Sequence, residues 1–318
     1  ALLAAKVKNY SYKKREIQQI DKLIKEFKPS KSIFIPSSKV IKSSFDKKTF
    51  NQLINIKGYC EKILPKTIQN FFMLAYISII EDCSTKIKDG NGLKNARNKK
   101  KVKNVYSYFI KKIKLMRSEI DSKIKNKSTF IEGSLISRKL RSSFDLVIFS
   151  PPYANCFDYF EVYKLEMWMG GFVKSYEDFL KFRSMALRSH VNSKFDHSIK
   201  ELNTNVDTIA SLISSYNIWN KNIPDMIRGY FDDMNSILNI IYSLMNQNSS
   251  CFIIVANSGY KGIVIPTDLL ICEIAEKIGF KTKNIFVARK MRSSSQQLNT
   301  LRPRKENLMR ESILELKK

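Results

Sequence analysis

The chain has 318 residues, and its 56 lysines and arginines outnumber 29 acidic residues, which gives a formal net charge of +27 at pH 7. Hydrophobic residues make up 43% of the chain and aromatic residues 11%, so the composition supports a buried core and excludes an intrinsically disordered chain. The charge favours a polyanionic partner such as nucleic acid, although AT-rich coding is an alternative source of part of the lysine excess.

The five cysteines show no CxxC pair and no spacing that joins them to either histidine, His190 or His197, so we predict no metal site. Their odd number and the lack of a signal-peptide pattern predict a reducing, cytoplasmic setting. The longest stretch without charge, Met234–Tyr260, is interrupted by the polar run Asn246–Ser250, so no membrane segment is predicted.

Residues 1–128 form a predicted helical, basic region. Apolar residues recur at helical spacing in Lys13–Phe27 and Lys100–Lys127, and Phe71–Ile80 has the pattern of an apolar helix. The G-x-G of Lys88–Lys94 follows no predicted strand and lacks a third glycine, which favours a turn over a nucleotide-binding loop.

Short apolar runs that predict β-strands begin near Ser128. They are Phe130–Ser134, Phe144–Phe149, Cys251–Ala256, Thr282–Ala288 and Glu311–Leu316. The Phe144–Phe149 run lacks regular polar alternation, which is typical of a strand buried on both faces of a parallel sheet.

The segments between these strands complete the predicted architecture. Asn257–Tyr260 is predicted to be a loop, and Thr267–Ile278 an amphipathic helix with its first residue as cap and Gly279 as stop. The order of elements predicts an α/β fold with an open sheet over residues 129–318, into which segment 183–245 is inserted.

Ser150, Pro151, Pro152 and Tyr153 stand at the carboxyl end of the Phe144–Phe149 strand. Open α/β sheets bind their ligands at the carboxyl ends of strands, so we predict that these four residues, here the SPPY motif, carry the chemistry. The alternative is a rigid strand-to-loop turn set by the two prolines.

The SPPY motif resembles the catalytic motif of the DNA amino-methyltransferases, which methylate cytosine N4 or adenine N6 with S-adenosylmethionine. Serine in the first position is more similar to the cytosine-N4 group. The resemblance extends over Asn155–Leu165, Asn257–Tyr260, Ile265–Asp268, Arg289–Gln297 and Arg310–Ser312. It implies a Rossmann-like, S-adenosylmethionine-dependent methyltransferase sheet with helical, basic insertions, which acts on double-stranded DNA in a restriction–modification system.

The resemblance also implies a role for each residue of the motif. The Ser150 hydroxyl and the Pro151 carbonyl would accept the two N–H bonds of the target amine and so free its lone pair, while Tyr153 would offer a ring face to a flipped base. Methylation at cytosine C5 instead requires a thiolate on a cysteine that follows a proline. No cysteine of this chain follows a proline, so that chemistry is disfavoured.

Cofactor and DNA contacts are assigned by the same resemblance. Glu132, Ser134 and Asp145 are the predicted S-adenosylmethionine-binding residues, and a solvated strand-end charge is the alternative for Glu132. The predicted DNA-binding residues combine cations for phosphates with amides for base edges, and are Arg289, Arg292, Gln296 and Gln297. A solvated loop is the alternative for these four.

Two further segments have predicted roles. Asp158–Trp168 is predicted to be helical, and packing behind the SPPY motif is favoured over a stacking platform for its aromatic residues. The polar segment Arg183–Trp219, which contains both histidines, is a candidate for target recognition.

The glycine-rich turn and the acidic ribose-binding residue of the family do not occur in this sequence, and Ala1–Tyr10 resembles the segment after the family's acidic strand. We therefore expect the first strands to come from a complementing methyltransferase fragment or from upstream sequence, with a cognate restriction endonuclease as a further partner. An adenine-N6 methyltransferase, a non-catalytic DNA-binding or partner subunit, and methylation of RNA bases or glutamine side chains are the alternatives.

Overall fold

The computed structural model describes residues 1–90, 92–96, 99–120, 128–195, 202, 204–291 and 308–318. The chain divides into two compact units. The helical unit comprises residues 1–132 and 159–181, and the sheet unit comprises residues 133–158 and 182–318. Segment 159–181 thus lies with the helical unit, whereas the sequence pattern predicts it within 129–318.

The helical unit contains short and medium helices and one β-hairpin. The elements are α1 (Leu2–Lys8), α2 (Lys14–Lys25), α3 (Lys39–Ser44), α4 (Lys47–Glu61), α5 (Lys66–Ser78), α6 (Ile80–Cys83), β1 (Lys86–Asp89), β2 (Gly92–Asn95), α7 (Val105–Ser118), α8 (Tyr159–Val162), α9 (Lys164–Met169) and α10 (Tyr176–Ser184), whose last three residues belong to the sheet unit. The predicted helices of this region are confirmed as α2, α5 and α7. The predicted turn is confirmed at Gly90, which has a φ of +57°. The prediction of a loop that follows no strand is wrong for its flanks, because Lys88–Asp89 belong to β1 and Gly92–Lys94 to β2.

Aromatic side chains of α5, α7 and α9 form the centre of the helical unit. Phe72, Tyr76 and Phe109 are fully buried, and Trp168 of α9 is 4% exposed. The Tyr76 hydroxyl donates to the Met169 carbonyl at 3.3 Å. The predicted packing role of Asp158–Trp168 is therefore confirmed for Trp168, but the core that it joins is that of the helical unit.

The sheet unit is built on four strands in the order β3-β4-β8-β7, with β3 parallel to β4 and β8 antiparallel to both neighbours. Its elements are β3 (Phe144–Phe149), α11 (Asn205–Ser214), α12 (Ile223–Leu244), β4 (Met245–Ala256), β5 (Ser258–Tyr260), β6 (Ile263–Ile265), α13 (Thr267–Ile278), β7 (Lys281–Lys290) and β8 (Arg310–Lys317), and a 3-10 turn spans Leu135–Ser137. The predicted α/β class is confirmed, with a mixed sheet. In the part of the chain that is described, none of the helices has the length and apolarity needed to cross a membrane.

Helices cover one face of this sheet. Cys251, Ile253 and Val255 of β4 are fully buried and share a core with apolar residues of α11, α12 and α13. Segment 183–245, which was predicted to be inserted, therefore supplies two helices of that core. Gly279 ends α13 as predicted, with a φ of +119° that favours glycine. Pro266 is the capping residue of α13 in place of Thr267, which begins the helix.

The prediction that Phe144–Phe149 is buried on both faces is wrong. Val147 and Phe149 pack against the core, but Leu146 is 53% exposed and Ile148 is 63% exposed. Successive residues of a strand point to opposite faces, so one face of β3 is uncovered. Within the described residues β3 also pairs with β4 alone, which makes it an edge strand.

Two other predictions from short apolar runs are wrong. Phe130–Ser134 forms no strand, because no described strand lies beside it to accept its backbone hydrogen bonds. Asn257–Tyr260 is not simply a loop, because Ser258–Tyr260 forms β5 and pairs antiparallel with β6. Strand formation at both places depends on whether a partner strand is available, which one short run of residues does not reveal.

A fully buried carboxylate joins α13 to β8. Asp268 accepts hydrogen bonds from the Arg310 Nε and the Ser312 hydroxyl, both at 2.8 Å. Its backbone N–H donates to the Asn257 side chain at 3.1 Å, and that side chain donates to the Leu308 carbonyl at 2.9 Å. The end of β4, the start of α13 and the start of β8 are thus tied together.

Removal of this carboxylate leaves the half-buried Arg310 guanidinium and the buried Ser312 hydroxyl without their common partner. We expect Asp268→Ala to lower the free energy of unfolding by about 3–5 kcal/mol. Glu276→Ala is the matched control, because Glu276 is exposed on the same helix, and its expected effect is about 0.5 kcal/mol or less. Urea unfolding of both variants measures the difference, and equal losses would contradict a special role for Asp268.

Candidate active site

The SPPY motif follows β3 directly and is anchored to β4. Because β3 and β4 run parallel, their carboxyl ends meet at the same edge of the sheet. The exposed Ser150 donates its hydroxyl proton to the Ile254 carbonyl at 3.1 Å. A hydroxyl has one donor and two lone pairs, so this bond leaves the Ser150 oxygen able to accept hydrogen bonds from a ligand.

The two prolines restrict the backbone between the anchored ends of the motif. Pro151 is buried and Pro152 is half-buried. Each ring fixes φ near −65° and removes a backbone N–H that would otherwise need a partner at this turn. The direction of the backbone from Ser150 to Tyr153 is therefore limited before any ligand binds.

Tyr153 ends the motif with a hydrogen bond to β8, which is the second strand along from β3 in the sheet. Its hydroxyl donates to Glu311 Oε1 on β8 at 2.6 Å. Burial, and then this hydrogen bond, raise the pKa of Tyr153 to about 12, so the phenol stays protonated at neutral pH. The ring is thus held by a bond between segments that are 158 residues apart.

Glu311 has a second partner, Arg289, one of the predicted DNA-binding residues. The guanidinium donates through Nε to Oε2 at 2.7 Å and through Nη2 to Oε1 at 3.2 Å. The Tyr153 hydroxyl and then Arg289 lower the pKa of Glu311, and the same carboxylate raises the pKa of Arg289. Sequence reasoning did not select Glu311 as a site residue, although it lies at the start of a predicted strand.

Residues of β5 hold the loop that follows the motif. The Ala154 carbonyl accepts hydrogen bonds from the Ser258 hydroxyl at 2.7 Å and from the Tyr260 hydroxyl at 3.2 Å. Cys156 has a φ of +64°, and its Sγ lies 3.1 Å from the Tyr260 hydroxyl. Ser258 and Tyr260 lie in the segment that the sequence predicts to be a loop. Only the parallel pairing of β3 with β4 brings their hydroxyl groups within hydrogen-bonding distance of Ala154, the residue after the motif.

The same loop ends in a buried ionic cluster. Asp158 pairs with Arg183, and His190 Nδ1 lies 3.7 Å from Asp158 Oδ2. Both Asp158 and His190 are nearly inaccessible, with exposures of 3% and 2%. His190, proposed for target recognition by its position, therefore lies inside the sheet unit, whereas His197 is outside the described residues.

The predicted cofactor residues Glu132, Ser134 and Asp145 differ in exposure and in their place in the chain. Glu132 is exposed, and Asp145 is exposed at the amino end of β3, where it accepts a hydrogen bond from Asn246 at 2.7 Å. Five residue steps along the extended backbone separate Asp145 from Ser150 by roughly 16 Å. Ser134 is half-buried and lines a cleft of about 300 Å³ in the sheet unit.

The described residues do not form a complete S-adenosylmethionine site. The chain has no glycine-rich turn of the family type, and the one predicted cofactor carboxylate on β3 lies at the wrong end of the strand for a ligand beside Ser150. The edge of the sheet next to β3, where such groups would be placed, is open within the described residues.

Burial disfavours the thiolate form of the three cysteines of the sheet unit. Cys156 lies closest to the motif in sequence, and burial raises its pKa to about 11. Burial also raises the pKa of Cys251 to about 12 and that of Cys272 to about 11. At neutral pH these side chains are protonated, whereas nucleophilic attack requires the thiolate.

The remaining predicted DNA-binding residues lie outside the described part of the chain. Arg292, Gln296 and Gln297 follow β7 in sequence, but only Arg289 of this group is described. Its side chain is 65% exposed although two of its nitrogens bond to Glu311. A guanidinium has five N–H donors, so Arg289 retains donors for an anionic ligand.

About half of the chain is similar to Type II methyltransferases. It is 31% identical over 171 residues to Type II methyltransferase M.AvaI of Nostoc sp. and, to the same extent, of Anabaena variabilis. It is 28% identical over 178 residues to Type II methyltransferase M.BsoBI of Geobacillus stearothermophilus. Each alignment covers 49% of this chain, and the chain spans about a third, 35%, of the length of these relatives. No family model and no solved structure matches the chain.

Proposed function

We propose that this chain carries the amine-binding part of a site-specific DNA methyltransferase of a restriction–modification system. The reaction transfers a methyl group from S-adenosylmethionine to an exocyclic amine of a flipped base, with cytosine N4 as the target. The observation that carries the proposal is the SPPY motif at the carboxyl end of β3, anchored through Ser150 to Ile254 and through Tyr153 to Glu311. Similarity to Type II methyltransferases supports the same class of enzyme.

The geometry of the motif suits a poorly nucleophilic amine. The lone pair of an exocyclic amine is delocalised into the base, and acceptors for both N–H bonds favour the tetrahedral nitrogen that can attack. Ser150 supplies one acceptor, because its proton is already committed to Ile254, and the Pro151 carbonyl supplies the second. The Tyr153 ring offers a face to the base, which must leave the duplex to reach this turn.

The motif at this position favours an enzyme over the alternative of a non-catalytic DNA-binding or partner subunit. A subunit that only binds DNA does not need an exposed hydroxyl group like that of Ser150, whose orientation is set by a hydrogen bond to the Ile254 carbonyl. Serine in the first position supports cytosine N4 over adenine N6 as the target atom. Arg289, Arg292, Gln296 and Gln297 are the proposed DNA contacts.

We further propose that a complementing methyltransferase segment pairs with the open edge of β3 and completes the S-adenosylmethionine site. The backbone edge of β3 is unpaired within the described residues, and an unpaired edge is a liability in water. One face of β3 is also apolar and uncovered, because Leu146 and Ile148 are exposed beside half-buried Phe252 and Ile254 of β4. A Rossmann-like sheet would result, in which the four strands described here form one part. Glu132 and Ser134 remain proposed cofactor residues of that assembled site.

Nucleoside analysis of DNA tests the proposed reaction. In cells that express the chain together with the flanking coding sequence of its locus, we expect N4-methylcytosine in the DNA. Ser150→Ala should lower methylation about 100-fold or more, because one acceptor of the amine is lost. Ser243→Ala, on the exposed surface of α12, is the matched control and should leave methylation unchanged.

N6-methyladenine in place of N4-methylcytosine would favour the adenine alternative. Absence of both methylated bases would refute the proposal of an enzyme and would favour the alternative of a non-catalytic DNA-binding or partner subunit.

Titration calorimetry of the purified 318-residue chain with S-adenosylmethionine tests the complementing segment. We expect no stoichiometric binding, because the described residues do not provide all the groups that are needed to bind the cofactor. Tight binding at one molecule per chain would overturn the complementing segment and would leave the proposed methyl transfer intact.

Salt-dependent DNA binding tests the proposed contacts. Replacing Arg289 and Arg292 by glutamine should lower DNA affinity and reduce the slope of log K against log salt by about 1–2, because up to two phosphate contacts are lost. Lys100→Gln with Lys101→Gln removes the same charge from two exposed residues of the helical unit and should have the smaller effect. Equal losses from both pairs would mean that the protein binds DNA through a diffuse positive field.

A further inference from the structure

Glu311 stands where the SPPY motif, β8 and a predicted DNA-contact residue meet. It lies directly opposite Arg289 in the register of β7 and β8, and it lies opposite Ala256 in the register of β4 and β8. Its side chain is 14% exposed. The carboxylate therefore occupies the same edge of the sheet as the carboxyl end of β4.

A cross-strand pair of Arg289 and Glu311 alone would be an ordinary surface ion pair, which contributes little to stability. The third partner makes this one different. The Tyr153 hydroxyl reaches Glu311 from another element at 2.6 Å, which is the length of a strong bond from a hydroxyl to a carboxylate. One carboxylate thus restrains a residue of the catalytic turn and a residue of the proposed DNA surface together.

We propose that Glu311 is a positioning residue that holds the Tyr153 ring in the orientation needed to stack on the target base. The proposal rests on the proposed methyl transfer. Ser150 fixes the first end of the SPPY motif on β4, and Glu311 fixes the last end on β8. Without the second bond, the tyrosine side chain regains its rotamer freedom, and the amine acceptors no longer face a base of defined orientation.

The bonds to Arg289 add a link between DNA contact and ring position. Two nitrogens of the guanidinium bond to Glu311, so the plane of the group is fixed relative to the Tyr153 hydroxyl. A phosphate bound by the remaining donors of Arg289 would therefore act on the same carboxylate that holds the ring. Glu311 touches neither substrate nor cofactor in this arrangement and acts through its two partners.

The chain offers matched variants for a test in the assembled, active enzyme. Glu311→Ala removes both bonds, Glu311→Gln keeps an acceptor for the Tyr153 hydroxyl, and Tyr153→Phe removes the hydroxyl alone. Glu315→Gln is the control, because Glu315 lies on the same strand and bonds to Asn284 instead of to the motif. The readouts are kcat and KM for DNA, together with the fluorescence of 2-aminopurine placed at the target position.

We expect Glu311→Ala and Tyr153→Phe each to lower kcat by about 10- to 100-fold, because the base is misplaced while it still binds. KM for DNA should change less than kcat in Tyr153→Phe, and the 2-aminopurine signal should rise as stacking on the ring is lost. The double variant should be no slower than Glu311→Ala, because that single variant already removes the bond that Tyr153→Phe removes. Glu311→Gln should recover part of the lost rate, and Glu315→Gln should match the unmodified enzyme.

An unchanged kcat in Glu311→Ala, or additive losses in the double variant, would overturn the positioning role while methylation by the unmodified enzyme stands. An unmodified enzyme that methylates neither base would refute the proposed function and this inference with it. If Glu311→Ala fails to fold, as judged by circular dichroism, Tyr153→Phe decides alone: a normal kcat and a normal 2-aminopurine signal would overturn the inference.

Discussion

The parallel pairing of β3 with β4 is the constraint on which the candidate site depends. It sets Phe149 opposite Ile253, so the residues that come after the two strands lie side by side. Ser150 then reaches the Ile254 carbonyl, and the loop after the motif reaches Ser258. A shift of one residue in this register would turn the buried side chains of either strand toward solvent, so the packing of the core also fixes the geometry of the turn.

The first residues of β8 connect that turn to the rest of the sheet unit. Arg310 pairs with the buried Asp268 of α13, and the next residue, Glu311, pairs with Tyr153 and Arg289. Neighbouring residues of a strand point to opposite faces, so a single strand holds the helix layer on one side and the turn of the SPPY motif on the other. The stability of the sheet unit and the order of the proposed site are therefore physically connected through β8.

Positive charge is distributed unevenly over the protein. Residues 1–132 contain 31 lysines and arginines against 11 acidic residues, so they carry most of the net charge of +27. In the sheet unit, by contrast, Arg188, Arg289 and Arg310 are each paired with carboxylates. A broad field can attract a polyanion from a distance, whereas paired and oriented cations restrict how it binds. In the proposed function, the long-range attraction of DNA comes mainly from residues 1–132.

The sequence by itself determined the features that depend on local periodicity and on turn residues. Helix α13 and its stop at Gly279 follow from a spacing of 3.6 residues and from a left-handed glycine, and the SPPY motif is recognisable at the end of an apolar strand. Only the tertiary structure decided that β3 is an exposed edge strand and that Tyr153 bonds to Glu311, 158 residues away. Strand partners and contacts between distant side chains are set by register and packing, and a local pattern of residues does not contain that information.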